Sequence, residues 1–379
     1  MILSAYNVTT LLGKRNRVCQ VSLRRLEHWH LESVLAEMQV PFPELTELKL
    51  SLDSSFRPTI PDSFLGGSAP RLQCFELYDI PFPGLPKLLL SATHLVELSL
   101  LEIPHSGYIS PEAMVTLISA LSSLEILFLQ FKSAHSHPDL GSRPPPTSSR
   151  FVVPALTNFH FKGVIEYLED LVTFIDAPQL HYLSTILFGQ INYDSPRFTQ
   201  FINRTPKLKP RTCRAHVEFN DWGASVTLTG PDSPRSTLEI ETSCKNPYPQ
   251  LSSVARVCNY SLSPISTVEV LLIVYEHPNW EPWENNAMEN ARWLEFLLPF
   301  TVVKNLYIYT EVASGIAATL QELAGGRITE VLPSLQNIFV EGLEKFRENV
   351  GRFIEARQLS DHPIAIFDWD RDSDINFSL

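Results

Sequence analysis

A leucine-rich phrase recurs along this chain at intervals of roughly 23 to 32 residues. Its common form is a proline followed shortly by Leu-x-x-Leu-x-Leu, with other apolar residues replacing some of the leucines. Copies occupy 42–50, 69–77, 91–100, 121–129, 153–161, 177–183 and 332–340. A period of this length is typical of repeat proteins, in which each short unit stacks on the next and only the stack buries a core.

The first clear copy shows why the phrase predicts a strand. Leu45, Leu48 and Leu50 alternate with Glu47 and Lys49, and successive side chains of an extended segment point to opposite faces. Prolines precede many copies, and the fixed φ of proline ends a helix and leads the chain into a strand. Such a strand needs neighbouring strands on both sides and a helix behind it.

Helical spacing of apolar residues separates several of the copies. It is seen at 33–38, 111–121, 164–175, 285–298, 315–323 and 343–356. Strands that alternate with helices at this short period imply parallel pairing. The predicted fold class is α/β, a leucine-rich-repeat solenoid (horseshoe) with a parallel inner sheet, outer helices and a small antiparallel meander insertion.

Three breaks in the pattern set the predicted organisation. Residues 133–150 are rich in Ser, Pro and His and predict an exposed loop. Three alternating runs without an intervening helix predict an antiparallel insertion over 214–242. The solenoid is expected over 21–379, after a poorly defined N-terminal remnant over 1–20, and it ends in a C-terminal cap and acidic tail over 360–379.

Composition narrows the class of partner and the compartment. The formal net charge of −12 argues against a nucleic acid ligand, because phosphate binding needs a basic surface. Five cysteines without a Cys-x-x-Cys pair suit a reducing compartment. No run approaches the roughly 20 apolar residues of a membrane span, and the first residues lack the pattern of a signal peptide. We expect a cytoplasmic or nuclear protein that binds neither membrane nor nucleic acid.

Motifs that carry catalytic chemistry are not found in the sequence. There is no phosphate-binding loop, dinucleotide-binding glycine motif, zinc-protease motif or nucleophile elbow. We therefore expect no enzyme, no cofactor and no resident metal. His135, His137 and Asp139 have ligand chemistry for zinc, but a loop rich in Pro and Ser offers no rigid element to hold them. A hydrolase or metal-dependent enzyme in this loop or in the meander is one alternative.

Three tryptophans lie in or just after the segment HPNWEPWENN at 277–286. They are Trp280, Trp283 and Trp293. One interpretation is core packing of the helix that follows. The other is an aromatic anchor for a partner, since tryptophan is enriched in interface hot spots.

Longer stretches of sequence carry a more specific signal than the repeat alone. They are IPDSFLGGSAPRL (60–72), IPFPGLPKLLLSATHLVELSL (80–100), IPHSGYISPEAMVTLISAL (103–121), FKGVIEYLEDLVTFIDAPQL (161–180), LPFTVVKNLYIY (298–309), EVLPSLQNIFVEGLE (330–344) and FIEARQLSDHPIAI (353–366). Over residues 20 to 370 the chain resembles a large family of fungal F-box/leucine-rich-repeat proteins. That resemblance implies that the repeats select the substrate of a Skp1–cullin–F-box ubiquitin ligase.

The F-box of that family has no counterpart here. It is an N-terminal helical module that opens on a Leu-Pro-x-Glu-[Val/Ile]-Leu-type phrase, and no such phrase precedes the first repeat. Two explanations stay open, a truncated gene product or a paralogue without the ligase tether. Skp1 is expected as a partner only if an F-box exists upstream. A stand-alone scaffold or decoy binder is the alternative function.

The predicted function is non-catalytic binding of a protein client through the strand positions that alternate with the leucines. Mixed charge with interleaved tyrosines suits a protein or peptide surface better than a small-molecule pocket. The predicted inner-face residues are Glu47, Lys49, Cys74, Glu76, Tyr78, Glu97, Ser99, Asn158, His160, Lys162, Asn305, Tyr307 and Tyr309. We expect that changing Glu76 and Tyr78 to Ala abolishes capture of a partner without unfolding. The same is expected of Tyr307 and Tyr309.

Overall fold

The structure of the protein is a computed structural model, and it describes residues 11–83, 85–134, 150–189, 195–209, 213–230, 236–244, 247–275, 287–325 and 327–369. The chain divides into two compact units, Met1–Leu183 and Ser184–Leu379. Each unit combines helices with a mostly parallel sheet, so the predicted α/β class is confirmed.

Parallel strands form the centre of the first unit. They are β1 (Gln20–Leu26), β2 (Glu47–Leu52), β3 (Cys74–Tyr78), β4 (Glu97–Ile103), β5 (Ile126–Phe131) and β7 (Asn158–Gly163). These strands are hydrogen-bonded in that order, and every pair is parallel. Two short strands, β6 (Phe151–Val152) and β8 (Ile175–Asp176), pair with each other. The strand β9 (Tyr182–Phe188) begins at the end of this unit.

The helices of the first unit lie between its strands in sequence. They are α1 (His28–Glu37), α2 (Leu85–Leu89), α3 (Pro111–Ala120) and α4 (Ile165–Thr173). The start of α3 follows from its sequence, because Pro111 suits the first helical position and the Ser110 hydroxyl accepts a hydrogen bond from the Ala113 amide at 3.3 Å. The expected helix over 164–175 ends earlier, at Thr173, because Ile175 joins β8.

The core of the first unit is built in rows across the strands. One row consists of Leu48, Phe75, Leu98, Leu127 and Phe159, which are paired in register and have no exposed surface. Full burial of one such side chain contributes about 1.5–3 kcal/mol. The alternating leucines therefore do what the sequence predicts, and they fix which side chains face the other way.

The second unit holds the antiparallel insertion and further parallel strands. Its strands are β10 (Cys213–Phe219), β11 (Ala224–Thr229), β12 (Thr237–Ser243), β13 (Val268–Tyr275), β14 (Asn305–Ile308), β15 (Asn337–Val340) and β16 (Ala365–Asp368). The β10–β11 and β11–β12 pairs are antiparallel, which confirms the predicted meander. The strands β10, β13, β14, β15 and β16 follow one another as parallel neighbours.

One helix of the second unit begins before its expected start. The helices are α5 (Pro196–Arg204), α6 (Pro247–Arg256), α7 (Ala287–Leu297), α8 (Thr310–Glu322) and α9 (Leu343–Leu359). The expected start of α8 at Gly315 is wrong, because this glycine lies inside the helix, where a β-carbon would come within 2.6 Å of Nε1 of Trp293. Trp293 is fully buried, which favours its interpretation as core packing.

The strand β1 was not expected from the sequence. Its segment, QVSLRRL, has a weak alternation of Val21 and Leu23 with polar residues, which two arginines interrupt before Leu26. In the structure it pairs with β2 from Gln20–Glu47 to Leu26–Leu52, with a register shift between Leu23 and Leu26. Pairing with β2 stabilises this segment as a strand, and the periodicity of the segment alone does not reveal such a contact.

Candidate functional site

The pairing register brings most of the predicted inner-face residues of the first unit onto one surface. Glu47 lies next to Cys74 and then Glu97, while Lys49 lies next to Glu76 and then Ser99. The same two rows continue through Ile126 and Phe128 to Asn158 and His160. We call this surface the open face; it consists of Glu47, Lys49, Cys74, Glu76, Glu97, Ser99, Ile126, Phe128, Asn158 and His160.

Two stacked rings occupy the centre of the β5–β7 part of the open face. The ring centroids of Phe128 and His160 are 4.0 Å apart, and their planes are 6° from parallel. The Tyr182 ring lies against His160 with a centroid distance of 4.8 Å. Burial lowers the pKa of His160 to about 4, because a half-buried imidazole loses hydration when charged. The imidazole is therefore neutral at physiological pH, and the rings form an apolar platform.

Carboxylates occupy the neighbouring strands of the open face. Lys49 Nζ lies 3.0 Å from Oε1 of Glu47, and the hydrogen bond to this carboxylate raises the pKa of Lys49. The Ser99 hydroxyl donates to Oε1 of Glu97 at 3.1 Å. Burial, followed by the negative charge of Glu97, raises the pKa of the Cys74 thiol to about 11, so this cysteine is an unreactive thiol at neutral pH.

A buried carboxylate holds two cations together at the carboxyl ends of the strands. Asp79, just after β3, accepts hydrogen bonds from Arg57 Nε at 2.7 Å and Nη2 at 3.0 Å, and from Lys132 Nζ at 2.7 Å. The Asp79 side chain is only 9% exposed. The hydrogen bond to its carboxylate raises the pKa of Arg57. This arrangement fixes the loop after β3 to the loops after β2 and β5.

The same edge of the first unit carries an open pocket and a second ion pair. The pocket has a volume of about 500 Å³ and is lined by Leu52, Asp53, Ser54, Ser55, Arg57, Tyr78, Asp79 and Lys132. Tyr78, one of the predicted residues, is 41% exposed at its rim. Lys162, another of them, lies with Nζ 2.6 Å from Oε1 of Glu102. Both residues thus sit at the border of the open face.

The three predicted residues of the second unit lie in a different environment. Asn305 accepts a hydrogen bond from the Asn337 side-chain amide at 2.8 Å. Tyr307 stacks on Phe339 with a centroid distance of 4.4 Å. Trp369, which follows β16, packs edge-on against Tyr307 and Tyr309 at 5.3 Å from each.

This packing removes Tyr309 from the solvent. Tyr309 is only 8% exposed and belongs to a small cluster with Leu272, Val274 and Trp369. It lies one residue after β14, at the start of α8. The Tyr307 and Tyr309 double change would therefore also disrupt this cluster, and it does not separate binding from folding.

Sequence reasoning missed several residues that shape these surfaces. Ile126 and Phe128 are not among the predicted inner-face residues, although the register places them on the open face. Alternation with the buried Leu127 and Leu129 was the signal that could have found them. Asp79 had no signal in the sequence, because its partners are 22 and 53 residues away.

The remaining predictions concern a metal site, a membrane-spanning helix and residues that the structure does not describe. Among the residues that the structure describes, no group of three or more His, Cys, Asp or Glu side chains could hold a metal ion. In the same part of the chain, no helix is long and apolar enough to cross a membrane. His135, His137, Asp139, Trp280 and Trp283, with nearly all of the 133–150 loop and the end of the acidic tail, lie outside the described residues.

No protein-family model matches the chain, and no curated protein matches it either. The resemblance to fungal F-box/leucine-rich-repeat proteins, and the ligase function that it implies, therefore stay predictions from the sequence.

Proposed function

We propose that the protein is a non-catalytic, protein-binding leucine-rich-repeat module that holds its partner on the open face of the first unit. The observation that carries this proposal is the platform of Phe128 and His160, which lies in register with a row of charged side chains. An apolar centre with a polar border is the common anatomy of a protein interface. The side chains are presented by paired strands, so no loop has to be ordered before a partner binds.

The repeat interpretation has its own support within the first unit. Each copy of the leucine phrase from 42–50 to 153–161 contributes one parallel strand, and its leucines or phenylalanines form continuous buried rows. Strands at this period with one buried row each are the expected unit of a leucine-rich-repeat solenoid. On the basis of these copies, we propose that the whole chain is a leucine-rich-repeat solenoid.

The first unit is the better candidate because the central side chains of its open face are partly exposed. In the second unit, Trp369 is 7% exposed and packs against Tyr307 and Tyr309. Tyr307 and Tyr309 therefore contribute to the packing of the C-terminal segment. In the first unit, Glu76, Glu97, Phe128 and His160 all keep part of their surface exposed, although the Tyr182 ring lies against His160.

Participation in a ubiquitin ligase is a separate part of the proposal and rests on the sequence resemblance. Substrate selection for a Skp1–cullin–F-box ligase requires an F-box in addition to the repeats. Co-purification of the full-length gene product with Skp1 tests this part. Recovery of a stable complex supports the ligase function, whereas a partner bound without Skp1 supports the stand-alone scaffold or decoy.

The binding function itself can be tested by photo-crosslinking. Gln130 lies two residues after Phe128 on the same side of β5 and pairs with Lys162. Benzoylphenylalanine at Gln130 is expected to form a light-dependent adduct with one protein of defined mass in cell extract. Glu166, exposed on α4, is the matched control position and is expected to form no such adduct. Equal adducts at both positions, or none at Gln130, would contradict binding on the open face.

A further inference from the structure

Negative charge on the open face is concentrated on three neighbouring strands. Glu47, Glu76 and Glu97 come from β2, β3 and β4, and Lys49 is the only cation on the open-face positions of these described strands. Lys49 lies 3.0 Å from Glu47 and also pairs in register with Glu76. The hydrogen bond to Glu47 raises the pKa of Lys49, and the negative charge of Glu97 also contributes. This one lysine therefore faces all three carboxylates, and the open face keeps an excess of negative charge on these strands.

The apolar platform adjoins these carboxylates directly. Glu97 pairs with Ile126, and Ser99 pairs with Phe128. The acidic side chain on β4 is therefore a direct neighbour of the apolar side chains on β5. Ser99 is almost fully buried and short, and it leaves no bulky side chain between Glu76 and Phe128. The two kinds of surface therefore form one continuous strip across β3, β4, β5 and β7.

The cations at the carboxyl ends of the strands do not offset this charge. Arg57 and Lys132 both bind the Asp79 carboxylate, and Lys162 binds Glu102. All three cations are engaged in ion pairs at the ends of the strands, away from the open-face positions, although Arg57 and Lys132 share a single carboxylate. An acidic partner segment on the open face would meet the excess of carboxylates over the single Lys49, which is unfavourable for association.

Strand spacing sets the geometry of a matching segment. Neighbouring strands lie about 4.8 Å apart, so Glu76 and Phe128, two strands apart, are separated by about 10 Å along the row. An extended chain advances about 3.3 Å per residue, and three residues therefore span the same distance. A ligand that crosses the strands can place one side chain on each feature.

We propose that the open face binds an extended protein segment in which an arginine or lysine faces Glu76 and Glu97 and an aromatic or large aliphatic side chain, about three residues away, lies on Phe128 and His160. This inference rests on the proposed function and adds the chemistry of the partner. The arginine or lysine forms charge-assisted hydrogen bonds with carboxylates that are already half-buried, where such bonds are stronger than in open solvent. The apolar side chain removes the platform from water.

Panning of random twelve-residue peptides on phage against the purified full chain tests this inference. The enriched peptides are expected to carry Arg or Lys within two to four residues of Trp, Phe, Tyr or Leu. The most enriched peptide is then synthesised with a fluorescent label, and its affinity is measured by anisotropy at low and high salt. We expect weaker binding at high salt, because solvent ions screen the charge pair.

Variants of the chain separate the charge from the platform. The Glu76→Gln, Glu97→Gln double variant is expected to weaken peptide binding by at least about tenfold, and Phe128→Ala by a similar factor. The matched control is Glu112→Gln, Glu166→Gln, which removes two exposed carboxylates from helices α3 and α4 and is expected to leave the affinity unchanged.

The results of panning and of the variants each support or contradict the proposed chemistry of the partner. Enriched peptides without a cation, or binding that survives Glu76→Gln with Glu97→Gln, would overturn the proposed chemistry while leaving protein binding intact. Peptides insensitive to all open-face variants, or panning without any enriched sequence, would overturn recognition of an extended segment on this face. The proposed binding function is decided separately by the Gln130 adduct, which does not depend on the partner's sequence.

Discussion

The imidazole ring of His160 lies flat on the phenyl ring of Phe128, with ring centroids 4.0 Å apart and planes 6° from parallel. The two residues belong to neighbouring strands, β5 and β7, and pair directly in register. Because burial lowers the pKa of His160 to about 4, the stack is uncharged at neutral pH. An apolar surface of this kind on the otherwise polar side of a sheet is the main reason to expect a binding site there.

The lowered pKa of His160 predicts how stability depends on pH. Between the usual histidine pKa of 6.5 and the folded value of about 4, the unfolded chain binds a proton that the folded chain does not. The contribution of His160 to the free energy of unfolding is therefore fully present above pH 6.5 and is lost as the pH falls towards 4. We expect the free energy of unfolding of the wild-type protein to fall between about pH 7.5 and about pH 5.

The His160→Phe variant isolates this contribution. Phenylalanine keeps the stack with Phe128 but does not titrate, so the variant is expected to lose less stability over the same pH range. Urea unfolding at both pH values measures the difference. Identical losses in the two proteins would show that His160 is not held neutral by its surroundings.

Asp79 provides a second prediction, about the carboxyl ends of the strands. Its backbone φ is +56°, a conformation that asparagine also tolerates, so Asp79→Asn removes the charge without a new backbone strain. The change leaves Arg57 and Lys132 close together without a carboxylate, and we expect a loss of about 2 kcal/mol in the free energy of unfolding.

Urea unfolding of Asp79→Asn is compared with that of Glu44→Gln. The Glu44 carboxylate pairs with Arg71 at the surface and is 42% exposed, so its loss is expected to cost no more than about 0.5 kcal/mol. Equal effects of the two substitutions would contradict a special role for the buried carboxylate.

A third prediction concerns the C-terminal segment of the second unit. Trp369 packs on Tyr307 and Tyr309, and its amide donates to the Val340 carbonyl at 3.1 Å. Replacing Trp369 with Ala removes a large buried side chain, and we expect a loss of about 3 kcal/mol in stability. Hydrogen exchange of the β14–β16 amides is expected to become faster.

The control is Phe56→Ala in the first unit. The Phe56 side chain is 59% exposed, and its loss is expected to leave the exchange of the β14–β16 amides unchanged. Unaltered protection in Trp369→Ala would show that the tryptophan does not hold this segment.

The sequence predicted those parts of the fold that depend on local periodicity. The leucine phrases identified the strands from β2 to β5 and β7, because alternation is enforced by burial of one face. The meander was predicted by the same alternation, with turn residues in between. Pro111 and Ser110 marked the start of α3 because both act locally.

Features that depend on contacts distant in sequence were not predicted. The strand β1 is stabilised by pairing with β2, and Gly315 serves the packing of Trp293 instead of starting a helix. Tyr309 was expected on an accessible face, but it is covered by Trp369, 60 residues later. The platform was missed because Phe128 has the same residue type as the core, and only the register shows which face it occupies.

The central claim, that the open face of the first unit holds a protein, is tested most directly by the affinity of the partner found through the Gln130 adduct. Its Kd is measured for the wild-type chain, for Phe128→Ala with His160→Ala, and for the helix-side control Glu112→Gln with Glu166→Gln. We predict that the platform variant raises Kd by at least about tenfold, while the control leaves it unchanged and both variants stay folded by circular dichroism. An unchanged Kd in the folded platform variant would contradict binding on this face.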